Sequence, residues 1–372
     1  MLPYIFCYFI TIFAAYCSSR KVIRIGKIKL NYIFVLITLI VPCYFAAVRA
    51  PGVGRDMEVY SEKMFEIARS STNLDFYIEK MAVEPLFSLL TLACAKLGNV
   101  YVYYFSIQLL TILPILALLY QEEYKENMWI GIALYMFWLY PFSLNIMRQS
   151  IAIAFVIYGY RYIKNRQLFK YLVCCLVGMG FHSTAIVGLL MYMINVLVSI
   201  EHSGHENWLR KILTKHRKIN IAVIGILSIA CVAFCNEIVG YLSTFNVRYE
   251  AQLRFASAFG LDYIHIFLIS VFVTILLLIY QRKAKTTEFF YLIYIIIIGA
   301  VLYQIKSSYS QMYRIAMYFI GYIFIAFPYA LKFAHKREKQ LFIVVIMALS
   351  LFNFWYYIIE SGWHSVYPFL TR

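Results

Sequence analysis

The stretch Asn145-Ile146-Met147-Arg148-Gln149-Ser150-Ile151-Ala152, read with Phe181-His182-Ser183-Thr184-Ala185-Ile186 further along, decides how this chain is built. Between the two lie an apolar run, a basic turn carrying Arg161, Lys164, Arg166 and Lys170, and a second apolar run. That is the pattern of a helical hairpin in a bilayer, with Arg148 and His182 returned to one membrane face. Asn145, Arg148 and Gln149 are spaced i, i+3 and i+4, so a continuous helix sets them on one side. An arginine there is costly unless it faces a polar cavity or a partner, which makes Arg148 a candidate site residue.

The rest of the chain has the same character. Of its 372 residues 63% are hydrophobic and 14% charged, where soluble domains carry about a quarter charged. Mean hydropathy is +0.73. Apolar runs of near-bilayer length recur from end to end, Pro is scarce, and no linker or long soluble insert interrupts them. The expectation is an all-α polytopic membrane protein with one membrane domain over 1–372. The net charge of +16 does not point to nucleic acid. Most of it falls in five clusters between apolar runs, at 20–29, 161–170, 210–218, 282–285 and 332–339, where it keeps those loops on the cytoplasmic side. The 8 cysteines lie in or beside apolar runs without the spacing of a zinc site or a disulfide framework. The first run, Leu2 to Cys17, has basic residues after it and none before, which reads as a retained span with its N-terminus outside.

Taken in order, a span over 30–48 leads to a Gly/Pro-rich turn at 48–56. Helical spacing of Met57, Tyr60, Met64, Ile67 and Ala68 against Glu58, Glu62, Lys63 and Glu66 predicts an amphipathic helix, within an external loop over about 49–83. Glu84-Pro85 opens an apolar run, 84–97, too short for a comfortable span, so it reads as re-entrant or as a buried half-helix. Alternation of the basic loops then gives about 12 transmembrane helices plus that short segment, with both termini outside.

The two faces differ in their cations. The outer side holds Arg49, Arg55, Arg69, Arg148, Arg248, Arg254, Arg314 and Arg372 against few lysines. Arginine's planar fork grips phosphate or carboxylate where lysine offers a point charge, so an anionic ligand at the external face is indicated, with pyrophosphate as the candidate. Arg148 leads, followed by Arg314 and Arg49, while Asn145 and Gln149 support it. His182, Glu84 and Asp56 are the candidate bases; His182 needs the least adjustment near neutral pH. Each has a plainer role: headgroup anchoring for Arg148 and Arg314, an interfacial position for His182, a local ion pair for Arg49, Arg55 and Asp56, and helix-dipole complementation for Glu84. No phosphate-binding glycine loop, dinucleotide turn or cysteine-based metal motif is present, so neither metal nor cofactor is expected.

The ordered set of Arg49, Gly54-Arg55-Asp56 and Tyr60, then Glu84-Pro85-Leu86-Phe87, then residues 145–152, then Phe181-His182-Ser183, then Tyr313-Arg314 resembles the EpsG family. Those are Wzy-like polymerases of exopolysaccharide, capsule and O-antigen. Arg55 departs from the pattern, since the family more often has Thr in a Gly-Thr-Asp triplet. The resemblance implies a GT-C-like bundle in the bacterial cytoplasmic membrane. Its enzyme is a metal-independent, inverting glycosyltransferase that joins oligosaccharide repeats carried on polyprenyl (undecaprenyl) pyrophosphate at the external face. Arg148, Arg314 and Arg49 would meet the pyrophosphate, with Asn145, Gln149, Tyr60 and Arg248 supporting. The implied partners are the lipid-linked oligosaccharides, the bilayer and a chain-length regulator. Two other readings use the same residues: a flippase for lipid-linked sugars, and an O-antigen ligase. A flippase calls for mid-span charges and paired half-repeats, and the sequence offers neither.

Overall fold

A computed structural model of the chain describes residues 1–20, 24–25, 28–71, 73–81, 83–199, 264–284, 288–304 and 312–372. They form an almost entirely helical protein. The exception is an antiparallel pair of two-residue strands, β1 (Arg24–Ile25) and β2 (Ile28–Lys29), inside the first basic loop. The chain divides into two compact units, residues 1–186 with 334–372, and residues 187–333.

The first unit is built around a helix that is apolar on every side. In α7 (Met128–Asn145) all residues from Ile130 to Asn145 are buried, as befits a helix with no polar stripe. Against it pack α1 (Leu2–Ser19), α6 (Val100–Leu119) and α8 (Met147–Lys164), while α2 (Leu30–Val48) packs on α1 and α6. The outer helices keep large apolar side chains uncovered. On α1, Leu2 is 66% and Phe9 67% exposed, a surface that suits lipid and not water. Helix α8 turns at Arg166, which adopts a left-handed φ of 55°, and returns as α9 (Leu168–Phe181). The two helices meet closely because Gly178 faces Ala152; a Cβ on Gly178 would sit 3.3 Å from the Ala152 carbonyl oxygen.

A smaller layer lies against this hairpin. Residues 57–61 form a π turn that runs into α3 (Glu62–Ser70), followed by α4 (Leu74–Met81) and α5 (Pro85–Lys96). The π turn inserts one residue into the helical register. Met57, Ser61, Met64, Phe65 and Ala68 therefore turn inward, while Tyr60, expected on the apolar face, is 62% exposed. The inward face packs with Tyr77, Phe87, Leu92 and Tyr103. Helix α5 has 12 residues, about 18 Å of rise against the ~30 Å of a hydrocarbon core.

The second unit contains α10 (Val187–Ser199), α11 (Ile264–Ala284), α12 (Glu288–Gln304), α13 (Met312–Ile320) and α14 (Ile323–Ala330). Helix α12 packs on both α11 and α13. In the first unit again, α15 (Lys336–Phe354) begins with a capping box in which the Glu338 side chain accepts from the His335 backbone N–H at 2.9 Å.

Among the described residues, 5 helices are long and apolar enough to cross a membrane: Leu2–Ser19, Leu30–Val48, Val100–Leu119, Met312–Phe333 and Lys336–Glu360. Shorter apolar helices include Pro85–Lys96, Leu168–Phe181, Ser183–Val196, Ile266–Gln281 and Glu288–Gln304. The apolar run near 219–235, counted as a span in the sequence, lies outside the described residues.

After α15 the chain makes a π turn, Trp355–Glu360, and its last residues strap the loop at 49–54. Ala50 N–H donates to the Leu370 carbonyl at 2.8 Å, Gly54 N–H to that of Ser365 at 2.8 Å, and Arg372 N–H to that of Val48 at 2.9 Å. Gly54 has φ 100°, and a Cβ built there would lie 2.5 Å from the Leu144 carbonyl oxygen. Both facts demand glycine. Gly54→Ala is expected to cost ~1–3 kcal/mol from backbone strain alone, read as a clear fall in the thermal midpoint of the purified protein; an unchanged midpoint would contradict the strain.

Candidate active site

Three junctions converge near the start of α8. The first is the break between α7 and α8. Ile146 leaves helical geometry (φ −93°, ψ 66°), so Asn145 closes one helix while Arg148 and Gln149 lie in the first turn of the next. This corrects the expectation that the three share one face. The continuous helix that the spacing assumes does not exist, and their side chains go to three different partners.

Arg148 points to Glu84. Its Nη1 donates to Glu84 Oε2 at 2.6 Å, with the guanidinium carbon 5.9 Å from the centre of the Phe87 ring. A cation in the first turn of a helix adds to the positive end of the dipole, so it needs a negative partner. Glu84 supplies one from the N-cap of α5, and its other oxygen, Oε1, accepts the Ser183 N–H at 3.1 Å. One carboxylate thus ties α5, α8 and the turn after α9 together. The pair is only partly covered, Glu84 being 17% and Arg148 38% exposed in their side chains.

Gln149 is fully buried, and its Nε2 donates to Thr184 Oγ1 at 3.3 Å. Thr184 in turn contacts His182. Its N–H donates to His182 Nδ1 at 3.3 Å, and its Oγ1 lies 2.8 Å from the same nitrogen. His182 is the extended residue (φ −160°, ψ 125°) that ends α9, which frees its ring to face this turn. Arg148 and Gln149 therefore reach the 182–184 turn by two parallel routes, one through Glu84 and one through Thr184.

Asn145 serves a third region. Its Oδ1 accepts the Asp56 backbone N–H at 2.7 Å, and its Nδ2 lies 3.1 Å from His364 Nδ1. His364, in a left-handed conformation (φ 67°), is stacked on Trp363 at 4.4 Å and meets Phe142 edge-on at 5.3 Å. Asp56 thus stands at the start of the π turn with its backbone fixed by the end of α7.

Arg49 is 2% exposed. Its Nη1 donates to the Ala46 carbonyl at 2.8 Å and its Nη2 to that of Leu144 at 3.0 Å, while Nε approaches Met57 Sδ at 3.2 Å and Tyr104 lies over the guanidinium at 4.8 Å. It caps carbonyls at the ends of α2 and α7, where a cation is favoured by the helix dipoles. Arg372 bonds the Arg49 carbonyl at 3.2 Å and pairs with Glu62. Arg314 belongs to the second unit, in the first turn of α13, with Nε 3.4 Å from Tyr313 Oη. Arg248 lies outside the described residues.

Sequence reasoning missed Thr184 and His364. Thr184 stands in the stretch that opens the sequence reading, and its place two residues after His182 was a usable signal, since hydroxyl residues bond backbone and side-chain groups at helix ends. His364 had only the Gly362-Trp363-His364-Ser365 interruption after an apolar helix to mark it.

A helical membrane protein whose first unit gathers an arginine, a glutamate and a histidine at helix ends is the class this geometry defines. Compared with known protein families, the chain matches the EpsG family over residues 31–371 and belongs to it. EpsG family proteins are Wzy-like polysaccharide polymerases, which makes this chain a glycosyltransferase-type enzyme with a role in surface polysaccharide synthesis. No curated protein and no solved structure matches the chain.

The Arg148–Glu84 contact is testable by a double-mutant cycle with Glu84→Ala and Arg148→Ala. Solvent screening at the part-exposed arginine holds the expected coupling to about 1 kcal/mol, measured from unfolding of the purified protein. Strict additivity would contradict the pair.

Proposed function

We propose that the chain joins oligosaccharide repeat units carried on polyprenyl pyrophosphate, at the external face of the bacterial cytoplasmic membrane, by a metal-independent, inverting glycosyl transfer. The acceptor hydroxyl oxygen attacks the anomeric carbon of the donor repeat. The bond from that carbon to the pyrophosphate oxygen breaks and its electron pair leaves with the polyprenyl pyrophosphate. The hydroxyl proton passes to a side chain, for which Asp56, Glu84 and His182 are the candidates. Developing negative charge on the leaving group has to be met by fixed cations placed before the reaction starts.

The observation that carries this reading is Arg148. It is a partly exposed guanidinium at a helix N-terminus, held by one nitrogen to Glu84; among the described residues its Nη2 and Nε have no partner. Those donors are what a phosphate fork requires. Arg49 has both Nη groups engaged with carbonyls and is enclosed, so in this reading it fixes the loop that carries Asp56. Arg314, in the first turn of α13, is a further candidate for phosphate binding, and a chain-length regulator a candidate partner.

Arg148→Ala and Arg148→Lys, each supplied to cells whose own copy has been deleted, test the assignment through the length of their surface polysaccharide on a gel. With membrane levels equal to wild type, Ala is expected to leave single repeats and Lys to restore polymer poorly, because it offers a point charge in place of a fork. Normal-length polymer from both would remove Arg148 from the chemistry, and loss of every surface-exposed repeat would favour the flippase.

A further inference from the structure

The turn between α8 and α9 gathers cations that the carboxylates described around it do not balance. It lies at the far end of α8 from Arg148, about 20 Å along the helix, and so apart from the cluster at Glu84. Arg161 is held there by aromatic rings. Its Nη1 donates to Tyr158 Oη at 2.8 Å, and its guanidinium carbon lies 5.3 Å from the centres of both the Tyr158 and Tyr162 rings. The Lys170 ammonium stands 5.9 Å from the centre of the same Tyr162 ring. Lys164 is paired with Glu123, but among the described residues Arg161 and Lys170 have no carboxylate within ion-pair distance. Cations that share one ring repel each other, and Lys170 also lies in the first turn of α9, where the helix dipole opposes it. The ring faces offset part of that cost, and an anion would offset the rest.

We propose that this turn binds the headgroup of an anionic phospholipid, with Arg161 and Lys170 holding its phosphate. Arg161 suits the task because the two tyrosines fix its plane while, among the described residues, Nη2 and Nε have no acceptor. What stands beside the cations favours a lipid over a soluble anion. Leu168 and Phe169 are exposed, Phe169 by 79%, and from Phe169 the uncovered apolar surface continues through Val173 and Leu176. Those three are spaced i, i+4 and i+7, one face of α9. Acyl chains can lie along that stripe while the headgroup meets the cations, whereas a soluble anion would use only the cations. Basic loops attract anionic leaflets diffusely; a guanidinium fixed between two rings makes the attraction local. Both residues lie away from Arg148, so this site does not depend on the polymerase reading.

The test uses the full-length chain purified in an uncharged detergent, its thermal midpoint followed as phosphatidylglycerol or phosphatidylcholine is added. Phosphatidylglycerol is expected to raise the midpoint and phosphatidylcholine to leave it unchanged. Arg161→Gln combined with Lys170→Gln should raise the phosphatidylglycerol concentration at half effect by about tenfold or more. Lys336→Gln combined with Arg337→Gln removes the same charge from the start of α15 and should leave that concentration within about twofold of wild type. Lys170→Gln alone changes one exposed side chain without threatening the fold, and should weaken the response several-fold. Inorganic phosphate at the same concentrations should neither stabilise the protein nor compete with the lipid. An equal response to the two lipids, or an unchanged half effect in the Arg161 and Lys170 variants, would overturn the site. Equal weakening by both double variants would reduce it to diffuse charge, and competition by inorganic phosphate would make it a soluble-anion site; either result also rejects the lipid.

Discussion

The first unit depends on the contact between Arg148 and Glu84. A guanidinium in the opening turn of α8 sits at the positive end of that helix and in an apolar protein, two penalties that only a nearby anion offsets. Glu84 meets that need from a different helix, and with its second oxygen it holds the turn that carries His182. Three segments distant in sequence are thereby fixed at one point. The packing beneath is consistent with this, since the face of α5 that carries Phe87 belongs to the same buried cluster as Met147, Ile151 and Phe181.

A second framework holds the loop that bears Asp56. Arg49 bonds carbonyls near the ends of α2 and α7, Gly54 allows the backbone to lie against Leu144, and Asn145 fixes the Asp56 amide. The closing strap from Ser365 to Arg372 adds backbone hydrogen bonds to the same loop. An enzyme that stabilises growing charge needs its cations and donors in place before reaction, because moving them during the step returns the energy gained. Rigid helix ends cross-braced by buried polar groups meet that requirement.

Much of this was legible in the sequence, and what escaped has physical causes. Apolar runs and basic clusters declared a helical membrane protein because hydropathy and charge act locally. Arg148, Glu84 and His182 stood out as candidates because charged or titratable groups at the ends of apolar runs are expensive and rare. That Arg148 and Glu84 pair with each other was not legible, since contact between residues so far apart is a property of the packed fold. Spacing placed Asn145 beside Arg148, and the break at Ile146 undid it, for nothing in that apolar sequence announces a change of helix. The π turn at Met57–Ser61 likewise shifted Tyr60 outward by one register step. Thr184 escaped because an ordinary hydroxyl acquires its role only from the partners that reach it.

The most direct measurement of the central claim is the affinity of the purified protein, in nanodiscs, for polyprenyl pyrophosphate in the wild type and in Glu84→Gln. If Glu84 holds Arg148 in place of an anionic ligand, removing its charge while keeping its shape should tighten binding by about tenfold, or ~1.4 kcal/mol, and adding Arg148→Ala should abolish the gain. Equal affinity in wild type, Glu84→Gln and the double variant would contradict the account, because the anion would then be bound somewhere other than at this pair.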